Sequence, residues 1–340
     1  MNLMNLVRRL AQKGRRIAGF AKLHLNAMKH SLDLSLQQNN LQNIRSGDII
    51  LFSVMKNEAC RLGFFLEYYR SLGVNHFVFV DNNSTDDFSD VVSGQKDITV
   101  YHTSASYKDS NFGVHWFNHL LSKHGVGHWC LTCDPDEFLV YPKIDMRNLR
   151  ELTAYLDANY ICSFYTLMID MYGKTAVEDT RYLPGQDPLE VCPYLDRMGY
   201  TKSYRHDYAV SASTGGVRRR VFFKSCAEMS PALNKVPLVK WKRHFVYVLS
   251  THEARPSFIN DVCRVNYVTG ALLHFKFISQ LQEKVEEERH AKQHWDDSFE
   301  YRRYDEILQN KTNLYDQNVS KEYESWHTLV DLGLMNMGEW

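Results

Sequence analysis

The sequence predicts an α/β fold, a Rossmann-like and mostly parallel sheet flanked by helices. Two observations carry this. Between residues 48 and 133, short apolar runs alternate with helical patterns, the order of a parallel α/β sheet. Each of those runs ends in polar residues, which a parallel sheet collects along one edge.

The elements follow in chain order. Residues 1–45 read as a basic leader, with no acid before Asp33. Arg8, Arg9, Lys13, Arg15, Arg16, Lys22 and Lys29 are interleaved there with Leu6, Leu10, Ile17, Phe20 and Leu25. The segment lacks the continuous apolar core of a secretory signal. It suits a basic amphipathic helix on an anionic membrane surface, or else a solvated helix. Asp48 to Met55 (DIILFSVM) has the shape of a buried strand. Leu62, Phe65, Leu66 and Tyr69 recur at helical spacing, which predicts a helix over Ala59 to Ser71, stopped at Gly73. A second strand covers His76 to Val80, and DNNSTDD after it is turn chemistry. A third strand covers Asp97 to His102, a helix Val114 to His124, and a fourth strand His128 to Cys133. Ser279 to His294 reads as a solvated helix. Residues 46–290 are expected to form one domain and 291–340 a C-terminal helical extension.

Composition narrows the function. Lys plus Arg and Asp plus Glu each number 40, so the net charge is zero and a general nucleic-acid binder is disfavoured. No apolar run approaches the roughly 20 residues of a membrane span. Seven scattered cysteines suit buried thiols in a reducing compartment. Cys130 and Cys133 form a lone CxxC without the second pair that zinc needs, and read as core thiols. Neither GxGxxG nor GxxxxGK[ST] follows the first strand.

The chemistry-bearing residues fall at strand ends. They are Lys56, Asn57 and Glu58, then Asp81, Asn82 and Asn83, then Asp134, Asp136 and Glu137 in DPDEF. Pro135 disfavours helix at Asp134, so an extended chain would face Asp134 and Asp136 one way and Glu137 the other. Two such carboxylates make a hard-oxygen site for Mg²⁺ or Mn²⁺, completed by substrate phosphates. In GGVRRRVF, Gly215 and Gly216 allow close backbone approach to a ligand, and an extended chain would put Arg218 and Arg220 on one face. Those forks suit phosphate oxygens, or equally ion pairs with acids. Lys235 and Lys240 are weaker candidates of the same kind.

VMKNEACRLGFFLEYYRSLGVNHFVFVDNNSTDD followed by WCLTCDPDEFLVY resembles the family 2-type glycosyltransferases of the GT-A fold. It is similar in particular to the bacterial branch marked by K/RNE, DNxSTD and DxDEF motifs. GGVRRRVF, NKVPLVKW and GALLHFKF are also similar to that branch, and the resemblance spans roughly Asp48 to Arg289. It implies a metal-dependent, inverting glycosyltransferase. The substrates implied are a UDP- or GDP-sugar donor and a glycan or lipid-linked acceptor in polysaccharide biosynthesis. The location implied is the cytoplasm or the inner membrane face, with no nucleic-acid partner. On that resemblance Met55 to Glu58 and Asp81 hold base and ribose, Asp134 and Asp136 hold the Mn²⁺ or Mg²⁺ and the diphosphate, and His274 is a third metal ligand. For His274 a strand histidine bonded to the backbone is the alternative, and His252 is a second candidate. A base for the acceptor hydroxyl would come from Asp187, Asp196, Asp207 or Glu228, with Glu137 less favoured. A nucleotidyltransferase is a rival reading, weakened by the missing phosphate loop. A non-catalytic sugar- or nucleotide-binding module of the same fold is the other.

Overall fold

The computed structural model describes residues 19–205, 210–260, 267–278, 281, 303–305 and 312–340. Four apolar runs form its parallel half: Ile49–Met55 (β2), His76–Asp81 (β3), Ile98–His102 (β4) and Trp129–Thr132 (β5). They pair in the order β4-β3-β2-β5, all parallel. Both faces are covered, so the side-chain alternation of a strand feeds two cores. Ile49, Leu51 and Met55 join one core with Leu62, Phe65 and Tyr69 of the helix Ala59–Ser71 (α2). Ile50, Phe52 and Val54 join the other with Trp116 and Phe117 of the helix Val114–Leu120 (α4). The expected Val114–His124 helix loosens after Leu120 into a wider turn, Leu121–Gly125.

The basic leader expected over 1–45 contributes a helix at residues 19–30 (α1) and an edge strand, Ser35–Gln38 (β1), antiparallel to β4. The short helix Phe88–Val92 (α3) follows the DNNSTDD turn, and Leu149–Ala158 (α5) opens with a capping box between Asn148 and Glu151. At the C-terminal end, Ser320–Glu322 pairs with Tyr194–Asp196, and the Trp340 indole donates to Pro142 O at 2.8 Å. The Ser279 to His294 helix falls almost entirely outside the described residues.

The other half of the sheet differs from the parallel expectation. Asn234–Lys240 (β11) runs antiparallel to both β5 and Ser163–Tyr172 (β7). Gly270–Phe277 (β14) is parallel to β7 and antiparallel to Glu137–Val140 (β6). The sheet is therefore mixed. Only residues 133–136 separate β5 from β6, yet the strand order between them is β5-β11-β7-β14-β6. Four flat strand spacings need about 19 Å, while so short a turned segment reaches less than about 18 Å. The second half must curl back toward the carboxyl end of β5. That curl brings His274 of β14 to the DPDE segment.

Candidate active site

The carboxyl ends of β2 and β3 are laced together by the DNNSTDD turn. Asp81 accepts from Ser84 N at 2.9 Å and lies 3.1 Å from His102 Nδ1. Asn57, at φ 55°, accepts from Thr85 N at 2.8 Å and donates its own N–H to Ser84 Oγ at 3.0 Å. Asp86 accepts from Ala59 N at 2.8 Å, which caps α2. Glu58 pairs with the buried Arg61 at 2.7 Å, and Arg61 also donates to Phe275 O at 3.3 Å. Lys56 and Asn83 are exposed, Asn83 at φ 62°. Asp81 is buried and bonded through both carboxylate oxygens, and Asn57 and Glu58 are likewise tied into the loop.

DPDE is a β-turn, and this corrects the extended reading. Glu137 N donates to Asp134 O at 3.0 Å, the i+3 to i bond of a turn with Asp at its first position and Pro at its second. Strand alternation therefore does not apply to Asp134 and Asp136. Asp134 lies 3.4 Å from Lys235 Nζ, which also bonds the buried Glu137. Glu137 thus points toward the acidic group, not away from it. Burial, the largest influence on Lys235, would lower its pKa, but Glu137 and Asp134 outweigh it and hold it above the ordinary value. Burial pushes Glu137 up against the pull of Lys235.

Asp136 turns the other way, to His274 Nε2 at 3.3 Å. His274 lies opposite Glu137 in the β14–β6 pairing and opposite Asp170 in the β14–β7 pairing. Its Nδ1 is 2.6 Å from Asp170, and Arg218 grips the same carboxylate at 2.9 and 2.6 Å. So short a contact with a carboxylate puts the proton on Nδ1, donated to Asp170, and Arg218, 3.0 Å from Nδ1, is then a neighbour sharing that acceptor. Burial, the largest influence on His274, would lower its pKa, but Asp136 and Asp170 outweigh it and hold it above the usual imidazole value. Burial would raise Asp170, yet Arg218 and His274 hold it well below the usual carboxylate range. Tyr107 borders the same group, its phenol pushed up by burial and by the charges of Asp134, Asp136 and Glu137.

Several expected roles are corrected. Arg218 and Arg220 lie on a wide helical turn, Arg218–Phe222, not on an extended segment. Both are ion-paired internally, Arg218 with Asp170 and Arg220 with Asp196, each Arg220 contact at 2.8 Å. Gly215 and Gly216 approach the chain's own backbone and a tyrosine ring. A Cβ on Gly215, at φ 147°, would sit 2.5 Å from Gly199 O, and one on Gly216 3.1 Å from the Tyr200 hydroxyl. Lys240 pairs with Asp157 at the exposed end of its strand. His252 is bonded to Asn234 O at 2.7 Å. Among the base candidates, Asp196 is buried against Arg220 and Tyr172, and Asp187 caps the turn Pro188–Glu190. Glu228 is exposed, and Asp207 lies outside the described residues. Asp170, Arg61 and His102 were not picked out from sequence. Asp170 had a signal, a single acid in the ten-residue apolar strand SFYTLMIDMY, because a buried charge demands a partner.

Asp134 and Asp136 diverge, and among the described residues no group of three or more His, Cys, Asp or Glu is arranged around a common metal position. A Mg²⁺ or Mn²⁺ that takes one or two protein ligands and fills its shell with phosphate and water fits Asp136 and His274. Asp170 behind Nδ1 fixes the orientation and tautomer of the His274 ring. No protein-family model matches the chain, and no curated protein matches it either.

Proposed function

We propose that the protein is a glycosyltransferase of the GT-A type. It would take a nucleotide-diphosphate sugar with Mn²⁺ or Mg²⁺ and pass the sugar to a glycan or lipid-linked acceptor. One observation supports this above the others. Asp136 and His274, distant in sequence, face each other at 3.3 Å with Asp170 and Arg218 behind them. Asp81 ends another strand of the parallel half of the sheet. In this reading Asp136 and His274 hold the cation, which draws charge off the departing diphosphate. Asp81 accepts from base or ribose. Asp170 and Arg218 fix the imidazole, and Lys235 fixes Glu137 and Asp134. No side chain is assigned as the acceptor's base.

The test is a calorimetric titration of UDP, GDP, CDP and ADP with and without Mn²⁺, on the wild type and on Asp136→Ala. The reading expects one nucleotide to bind, with Mn²⁺ only, and that binding to vanish in the variant. A folded protein that binds none of the four removes the donor site.

A further inference from the structure

We propose that the outward face of α1 is a docking surface for an anionic lipid membrane. The proposal stands independently of the catalytic reading. The inner face of α1 is well held. Ala27 is buried, His30 stacks on His115 at 5.0 Å between ring centres, and His24 lies beside the backbone of His244. Asp33, just past the helix, faces inward, bonded to His30 at 2.7 Å and to the Trp116 indole at 3.4 Å.

The outer face is what needs explaining. Leu25 and Met28 on the helix, and Leu32 in the short turn Ser31–Asp33 that continues it, are 63%, 66% and 87% exposed. A helix on a globular domain normally turns polar residues outward. Here these apolar side chains are flanked by exposed Lys22 and Lys29, and residues 19–30 contain no acid. The His24–His244 contact brings up the exposed loop of Lys242, Arg243 and His244. Beside that loop Phe258, 52% exposed, packs its ring 5.8 Å from Phe245.

Apolar side chains beside the exposed cations Lys22, Lys29, Lys242 and Arg243 match the boundary between anionic headgroups and acyl chains. A second copy of the chain is a poorer occupant. A two-fold contact would set Lys22 and Lys29 against like charges on the same patch of the partner. The surface also lies near the acidic group. Asp33 bonds Trp116, whose ring is 6.4 Å from that of Tyr107, and Tyr107 borders Asp134, Asp136 and Glu137.

The experiment is co-sedimentation of the full chain with phosphatidylcholine vesicles, and with vesicles carrying phosphatidylglycerol at about one part in four. Binding is expected on the anionic vesicles only, weakening as salt rises. Leu25→Ser/Met28→Ser/Leu32→Ser should lose about tenfold or more in affinity through lost apolar burial. Lys22→Glu/Lys29→Glu should lose about twentyfold or more at roughly fivefold per removed lysine. Both variants should keep the wild-type circular dichroism. Failure of the wild type to bind anionic vesicles overturns the proposal. So does undiminished binding in both variants, which places the contact elsewhere. A concentration-dependent dimer that the triple variant dissolves, without vesicle binding, makes the occupant a second copy and also overturns it.

Discussion

Arg218→Met tests the buried core of the candidate site. The Arg218 and Asp170 side chains are 4% and 1% exposed and share contacts of 2.9 and 2.6 Å. Removing one partner of a buried pair costs about 3–5 kcal/mol, because the other charge is left without compensation. Two charge-assisted hydrogen bonds, at about 1.5–3 kcal/mol each, give a similar figure. Asp170 would keep the bond from His274 Nδ1, which favours the lower end, about 3 kcal/mol. Against a total stability of about 5–15 kcal/mol that is a large loss. Urea unfolding followed by circular dichroism at neutral pH would report it as a lower midpoint with an unchanged slope. Arg218→Met/Asp170→Leu should cost less than the sum of its single changes, since no orphaned carboxylate remains. A loss below about 1 kcal/mol in Arg218→Met, or simple additivity in the double variant, would refute the buried-pair argument.

Other consequences can be checked on the same apparatus. Gly215→Ala should destabilise by roughly 2–4 kcal/mol, since Cβ meets backbone in a strained left-handed conformation, and a midpoint within error of wild type would contradict it. Lys240→Ala should cost less than about 1 kcal/mol, its ion pair with Asp157 being exposed on both sides, and a larger loss would show a buried role. Burial and the nearby His30 lower His115 to about 4 from an ordinary 6.5, and among the described residues its Nδ1 has no hydrogen-bond partner. Stability is therefore complete above the unfolded pKa and falls with pH below about 6.5, by on the order of 2 kcal/mol at about pH 5. His115→Leu should flatten the dependence between pH 7 and pH 5, and an unchanged slope would assign it to other groups.

The parallel half of the sheet was legible because strands buried on both faces are continuous apolar runs, DIILFSVM and HFVFVD among them. The helix Ala59–Ser71 was legible through its periodicity, and its predicted stripe is the buried one. The antiparallel half was not. SFYTLMIDMY and GALLHFKF are recognisable as buried segments, but nothing local says that Leu273 pairs with both Ile169 and Phe138. At Asp134 two local signals compete. A residue before proline is extended, and extended is also what the first position of a turn allows, so Asp-Pro opened a turn where a straight strand end was expected. The arginines failed similarly: RRR is equally compatible with phosphate and with Asp170 and Asp196, and only the fold decides.

The charge balance of the cluster bears on how a diphosphate would enter. Glu58, Asp134, Asp136, Glu137 and Asp170 supply five carboxylates, against the three permanent cations Arg61, Lys235 and Arg218. His274 can add one positive charge while its Nε2 keeps a proton, and a metal at Nε2 would displace that proton. Among these residues alone, carboxylates outnumber cations in either protonation state. The three permanent cations are all buried in pairs with those carboxylates, so none is presented to the substrate first. A nucleoside diphosphate arriving without a metal ion would face mainly carboxylates among these residues at the DPDE turn. On the proposed reading, then, Mn²⁺ or Mg²⁺ is a condition of donor binding rather than an enhancement of it. That is why the titration without Mn²⁺ carries as much weight as the titration with it. Tight metal-free binding would place the diphosphate away from Asp136 and His274 even if the protein transfers sugars.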